Sequence, residues 1–409
     1  MLDVSIDQEY NENMLIRKGY KYRLKTTPEI EHIFNLFSGH CRYVWNKSLA
    51  MQMGRLDQKV PVLRYGDLAC LLVLWKQSDE MSFLKQAHSQ VLQQTIKDLD
   101  RVLWDGLKKE KGMPRFRKKG RHDSFRYPQG FRIEGNRIYL PKVGWVAFRK
   151  SREIQGTPKN VTVSRRGNHW YVSIQTEIKV KKPVHPSMSM VGIDMGIARF
   201  ATLSDGSYYE PLHSFRALEM KLAREQRKLS RKQKFSRNWH KQKDKISRLH
   251  IRIADARNDY LHKLSTMICK NHAVVVMEDL RVSNMSRSAK GTLDAPGRNV
   301  KAKAGLNKAI LDQGWYTFRE MIRYKLEWSG GELVLVPPQY TSQTCPECEH
   351  VSSGNRPSQV LFRCTECGFT DHADHVAAVN IRRAGHARLA CGEIEVTHSL
   401  KQEPSRLVA

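Results

Sequence analysis

Close to the C-terminal end of the sequence stand Cys345-Pro-Glu-Cys348 and, after fifteen intervening residues, Cys364-Thr-Glu-Cys367. Nothing else in the chain restricts the fold so tightly, because two such knuckles bring four thiolates onto one tetrahedral zinc ion. Paired redox cysteines are the rival reading, but no thioredoxin-like pattern surrounds them. A closed four-thiolate shell keeps no open position, so the ion is expected to be structural. We expect a zinc ribbon over residues 341–370. The other cysteines, Cys41, Cys70, Cys269 and Cys391, are scattered. That suits packed thiols in a reduced compartment rather than a disulfide scaffold.

A ribbon does not identify an activity by itself, and charge narrows the field. The 409 residues carry 70 Lys and Arg against 41 Asp and Glu, a formal net charge of +29. Such an excess repels itself in a compact fold unless a polyanion neutralises it. Nucleic acid is the obvious candidate. A membrane is not expected, since no apolar run approaches the roughly 18 residues a span requires. The opening residues include Asp3, Asp7, Glu9 and Glu12 and do not read as a signal peptide. The chain reads as cytoplasmic, of two or three domains, without a coiled-coil dimer signal.

Periodicity divides the chain further. Residues 15–24 alternate like a strand and stop before Thr27-Pro28, a helix start. Ile30, Ile33, Phe34, Phe37, Cys41 and Val44 then recur at helix spacing, and Leu92, Ile96, Leu99 and Leu103 mark a later helix face. Residues 125–178 change to short strands, with Arg165-Arg166-Gly167-Asn168 as a hairpin turn. Residues 216–270 are helical and carry 17 Lys/Arg against five acids. Their apolar stripe, Ile246, Leu249, Ile253, Ala256, Tyr260, Leu264 and Met267, predicts a packed helix with a basic outer face. Aromatics interleave with these cations at Phe116, Phe215, Phe235 and Trp239. Cations neutralise phosphates and aromatics stack on unpaired bases, although each residue singly also suits a solvated or packed helix face. Residues 286–305 read as a mobile loop, with gating of a nearby site as a hypothesis.

Acids at the ends of apolar runs carry the second chemical signal. Asp194 follows Met190-Val-Gly-Ile193, and Glu278 ends the run Ala273–Met277. A carboxylate there is costly unless it is paired or binds metal. Asp374 opens a small-residue helix in which Ala377 and Ala378 permit close docking. Asp371 suits the helix cap as well as Asp374 does. Three carboxylates on two strands and a helix could hold two divalent ions for phosphodiester hydrolysis. Each acid alone equally suits a solvated strand end or a cap.

The segments GIDMGIARFATLSDG, VVVMEDLRVSNM and DHADHVAAVNI, with CPEC…CTEC between the last two, resemble the interrupted RuvC nuclease of the TnpB family. Those proteins are transposon-encoded and resemble compact type V CRISPR effectors. KGYKYRLKTTPE…CRYVWNKSL, GMPRFRKK and YLPKVGWVAFR…NVTVSRRGNHWYVSI are similar to that family too, so the resemblance runs from residue 15 to about 384. It implies an α/β multidomain chain with an RNase H-like nuclease and an inserted zinc ribbon. A β-barrel wedge domain would be interrupted by a helical recognition domain. The implied boundaries are an acidic extension over 1–14, a wedge over 15–29 and 116–183, and recognition helices over 30–115. The nuclease would take 187–340 and 371–384, followed by a disordered tail over 385–409. The resemblance implies an RNA-guided DNA endonuclease that binds a guide RNA from its own element. It would pair that RNA with a double-stranded DNA target beside a short flanking motif. Asp194, Glu278 and Asp374 would be its catalytic acids on two Mg²⁺ ions, with Cys345, Cys348, Cys364 and Cys367 on zinc.

Two positions depart from the family pattern. Val376 stands where an Asn is usual, which would remove a polar group near the metal site. Glu349 stands where the first knuckle usually has Gly, which changes the turn more than the ligation. Three alternatives accompany the reading: a strand-transferring transposase, a guided repressor without cleavage, and a zinc-ribbon binding protein with no enzymology. The last explains charge and cysteines but not the acids after buried strands.

Overall fold

The computed structural model describes residues 13–292 and 294–391, which fall into two compact units, one ending at Lys181 and the other starting at Lys182. The expected acidic extension lies outside the described residues except for Asn13 and Met14, which belong to the first strand. The expected tail lies outside them from residue 392 onward.

In the first unit, β1 (Asn13–Lys25) leads into α1 (Pro28–Asp57). Thr27 caps the helix by accepting from the Ile30 amide, and Pro28 takes the first helical position, where its missing N–H costs nothing. Helices α2 (Tyr65–Gln77) and α3 (Ser89–Leu107) follow, joined by a 3₁₀ segment over Asp79–Gln86. The strands are β2 (Ser124–Tyr127), β3 (Arg132–Glu134), β4 (Arg137–Leu140), β5 (Gly144–Phe148), β6 (Thr157–Arg166) and β7 (His169–Lys181). They form one sheet in the order β2-β6-β7-β1-β5-β4-β3. All its pairings are antiparallel. The predicted hairpin turn is present, with Arg166 opposite His169 and Gly167 at φ 59°. Helices and strands share a single core: Phe34, Phe37, Leu92 and Ile96 pack with Phe125, Tyr127, Trp170 and Val172. The GMPRFRKK segment docks on α1, where the Trp45 indole donates to the Arg115 carbonyl and Asn46 bonds the Arg117 backbone in both directions.

The second unit is built on a five-stranded sheet. Its elements begin with β8 (Met190–Asp194), β9 (Ala201–Leu203), β10 (Tyr208–Tyr209), α4 (Arg216–Ser230) and α5 (Arg237–Asn271). Then come β11 (Val274–Glu278), α6 (Val282–Met285), α7 (Val300–Gln313), α8 (Trp315–Ser329) and β12 (Glu332–Val336). The last elements among the described residues are β13 (Leu361–Arg363), β14 (Thr370–His372) and α9 (Ala373–Ala390). Strand order is β10-β9-β8-β11-β12, with β8, β11 and β12 parallel. Val191, Ile193, Val275 and Met277 face α5 and α8 through Leu264, Ile268, Phe318 and Ile322. Val276, Val334 and Val336 face Ile381 of α9. A sheet covered on both faces requires apolar residues at every position, which is why Val274–Met277 reads as an unbroken apolar run.

Two expectations need correction here. Residues 385–390 are not tail: α9 continues to Ala390, with Leu389 packed against the sheet core. The segment 286–305 is not one mobile loop, because residues 300–305 open α7. Its first residues are held to that helix, with Asn307 donating to the Ser286 and Arg287 carbonyls and Lys303 donating to that of Met285 just before them. No helix among the described residues is long and apolar enough to cross a membrane.

Candidate functional site

Asp194 and Glu278 end β8 and β11, which run parallel side by side with Ile193 opposite Met277. The two carboxylates therefore emerge at the same, C-terminal edge of the sheet, where open parallel sheets place their ligands. Asp374 arrives from α9, one residue into the helix. Its cap is His372, whose ring accepts from the Asp374 amide. The expectation that Asp371 or Asp374 caps this helix is thus replaced: Asp371 instead accepts from the His372 amide and bonds the His375 ring at 2.6 Å.

Close packing holds α9 in place. A Cβ on Gly192 of β8 would collide with the Ala378 carbonyl and the Arg382 amide, and one on Gly385 would collide with Val276 of β11. Two glycines, one on each partner, let the helix backbone lie on the strands. Buried Asn380 then donates from the same helix to the carbonyls of Thr341 (2.9 Å) and Thr344 (2.8 Å). The Thr341 hydroxyl in turn donates to Glu278 Oε1 at 2.6 Å. One helix thus carries Asp374 and fixes the loop that orients Glu278.

The electrostatics bind the three acids together. Burial, then the negative charges of Glu278 and Asp374, push Asp194 up to about 7, with Arg356 opposing the rise. Burial also raises Glu278, against the Thr341 hydrogen bond. The Arg356 guanidinium, contributed by the cysteine-bearing segment, stands 3.6 Å from Asp374. Like charges kept this close resist joint ionisation unless a cation intervenes. Thr341, Asn380 and Arg356 escaped the sequence reading. Asn380 lies inside the quoted DHADHVAAVNI segment and could have been singled out, whereas nothing in the sequence marks the other two.

The four cysteines converge. Their sulfurs all lie within 4.8 Å of one another, the one such group of ligand atoms among the described residues. Cys345 and Cys367 sulfurs are 3.6 Å apart, and Cys348 and Cys364 sulfurs 3.5 Å. Tetrahedral zinc with sulfur at about 2.3 Å needs edges of about 3.8 Å, close to these two separations, so four thiolates gathered this way suit that ion. Burial opposes ionisation of Cys364, but the Cys367 and Glu366 amides hold its thiol down to about 6. Glu349 adopts φ 61° after the first knuckle, and Gly368 adopts φ 75° at the matching place in the second. The glutamate accepts a backbone conformation that glycine adopts freely.

Val376 is also placed differently from expectation. It is fully buried among Cys345, Phe362, Cys364 and Ala373, in the core of the cysteine module. Two residues along a helix turn the side chain about 200°, so Val376 faces this module on a different side of the helix from Asp374.

Comparison with known proteins places the chain in a family. A family described as "Probable transposase" matches residues 173–289, and one described as "Cas12f1-like, TNB domain" matches 315–381. A third, "Helix-turn-helix domain", matches 14–59, which here form β1 and the single helix α1. The "Putative RNA-guided DNA endonuclease InsQ" of Escherichia coli (strain K12) is 52% identical over 394 residues, 96% of this chain and 98% of that one. The chain belongs to the TnpB family. A Streptomyces pristinaespiralis protein, also named as such an endonuclease, is 33% identical to this TnpB-family chain over 96% of its length and 98% of the relative's. In fold, the TnpB-family chain is similar to the protein in a structure described as "Cryo-EM structure of the Cas12f1-sgRNA-target DNA complex". The TM-score is 0.54 at 14% identity, covering 90% of this chain and 99% of the other.

Proposed function

We propose that this chain is an RNA-guided DNA endonuclease of a transposable element, cutting at Asp194, Glu278 and Asp374. The observation that carries the reading is the shared edge: two acids end adjacent parallel strands, a third comes from the helix lying across them, and burial followed by the charges of the other two raises Asp194 to about 7. Oxygen ligands of this kind select hard cations such as Mg²⁺. Two such ions would supply an activated water and a Lewis acid for the leaving 3′ oxygen. Asp194, Glu278 and Asp374 would hold these ions between them. Thr341 keeps Glu278 aimed, and Arg356 balances charge beside Asp374. No serine or cysteine nucleophile is required.

The zinc ion would stiffen the joint between β12 and α9 without itself entering the chemistry. The strand order supports an RNase H-like reading of the second unit. In the first unit, β1 pairs with β7 for most of its length and with β5 at its end, which supports a wedge barrel whose helical insertion spans 30–115. The basic surface suits a guide RNA and a DNA target, with sequence read by base pairing and the protein reading backbone and a flanking motif. The chain would work in the cytoplasm.

The test is to express the chain with its flanking DNA, isolate the RNA bound to it, and assay DNA matching that RNA in Mg²⁺. Cleavage that needs the match and vanishes in Asp194→Ala, with RNA retained, is the expected outcome. Cleavage that survives in Asp194→Ala overturns the assignment.

A further inference from the structure

The turn between α4 and α5 carries an aromatic side chain that the fold does not use. Phe235 is 74% exposed and holds φ 65°, a left-handed conformation unfavourable for any residue with a Cβ. The hairpin closes without it. Leu222, Ile246 and Leu249 form the core with Phe215 and Leu229, and buried Gln242 donates to the Glu225 carbonyl (3.0 Å) and carboxylate (2.7 Å). What the conformation does achieve is to set Phe235 beside Trp239, with ring centroids 5.6 Å apart. Ser236 between them caps α5 by accepting from the Trp239 amide at 3.1 Å, and the Lys243 ammonium lies 5.2 Å from the Trp239 ring centre.

Around this pair the charge is one-sided. Residues 231–245 hold seven Lys and Arg and a single acid, Asp244. Arg231, Lys234, Arg237 and Lys241 are exposed, and none is bridged to an acid among the described residues. An exposed phenylalanine beside a half-buried tryptophan, ringed by free cations, matches the chemistry of a nucleotide: a flat base to stack and phosphates on either side.

We propose that Phe235 and Trp239 form a stacking platform for an unpaired base of the guide RNA, with Arg231, Lys234, Arg237 and Lys241 on the neighbouring phosphates. The proposal rests on the guided-nuclease reading above and adds a site to it. A stacking platform needs a base outside its helix, which loops and bulges of a folded RNA present and an intact DNA duplex does not.

The test uses the full chain and the RNA that co-purifies with it, transcribed and labelled. Phe235→Ala is expected to weaken binding about 5- to 150-fold while leaving the salt dependence unchanged, because no charge is lost. Lys234→Ala, by contrast, should flatten that dependence. Phe235→Trp should restore affinity. Phe235→Gly separates recognition from folding: relief of the left-handed backbone should keep the thermal midpoint at or above the parent's, while RNA affinity falls as in the alanine variant. Affinity of Phe235→Ala within twofold of the parent overturns the proposal, and so does a lower midpoint in Phe235→Gly. Weakened binding of duplex DNA with RNA unaffected overturns the RNA assignment. A parent chain that retains no specific RNA overturns the guided reading itself, and the platform with it.

Discussion

Removing the charge of Asp194 should stabilise the Mg²⁺-free protein, and by an amount that depends on pH. Its carboxyl rises from an ordinary 3.8 to about 7, first through burial and then through Glu278 and Asp374. The folded state therefore holds this proton more tightly than the unfolded chain does. Stability is unaffected by the group below about pH 4, falls as pH rises toward about 7, and is level beyond. Three units correspond to about 4 kcal/mol. Asp194 keeps some solvent access at the sheet edge, which brings the expected cost nearer 2–3 kcal/mol. Asp194→Asn, nearly isosteric and uncharged, should recover that amount above about pH 7 and almost nothing near pH 4. The assay is urea unfolding of parent and variant across this range in Mg²⁺-free buffer without chelator, so that zinc stays bound. The difference between the two proteins cancels the titration of every other group. Added Mg²⁺ should stabilise the parent and leave the variant nearly unchanged, since ligands that bind only the folded state shift stability by mass action. A difference that is flat with pH, or a variant less stable than the parent above pH 7, would refute the account of three mutually repelling acids.

Gly192→Ala should destabilise the second unit by about 1–3 kcal/mol and lower cleavage more than stability explains, because α9 and Asp374 must shift; thermal melts and cleavage rates on one preparation check this. Thr341→Val removes the hydroxyl that lowers the Glu278 pKa, so the acid limb of the cleavage pH profile should move upward, with Thr341→Ser restoring it. Val376→Asn should cost about 1–3 kcal/mol by burying an amide among apolar neighbours and should not raise the cleavage rate, as read by melting and a cleavage assay. Elemental analysis should find one zinc per chain, lost with a fall in melting temperature when Cys345 and Cys348 are both changed to Ser.

What was legible in the sequence was local. The cysteine knuckles declare themselves by spacing, and Asp194 and Glu278 by closing apolar runs that only a doubly covered sheet needs. The helix stripe over 246–267 was legible only in part. Ile246, Leu249, Ile253 and Leu264 are buried, but Met267 is 42% exposed while Leu261 and Ile268 face the core. A 35-residue helix that packs first on α4 and then on α8 and the sheet turns its buried face with the change of partner, and a single stripe cannot describe that. The tail was expected from Gly385 because the residues beyond it show little pattern, yet that glycine lies inside α9 and admits Val276 at close range. Thr341, Asn380 and Arg356 act through contacts made across long stretches of chain, so no window of sequence contains both partners. His372 took the cap that the neighbouring aspartates suit better by propensity, leaving Asp371 to pair with His375.

The seating of α9 on Gly192 also bears on when the protein becomes capable of chemistry. Gly192 and Ala378 are 186 residues apart, and contacts that distant in sequence form late, because the intervening chain must first be ordered. During synthesis the strands bearing Asp194 and Glu278 emerge long before the helix that brings Asp374. Under the proposed mechanism a nascent or partly folded chain has an incomplete set of acids, and the cell meets the nuclease only once α9 has closed over the sheet.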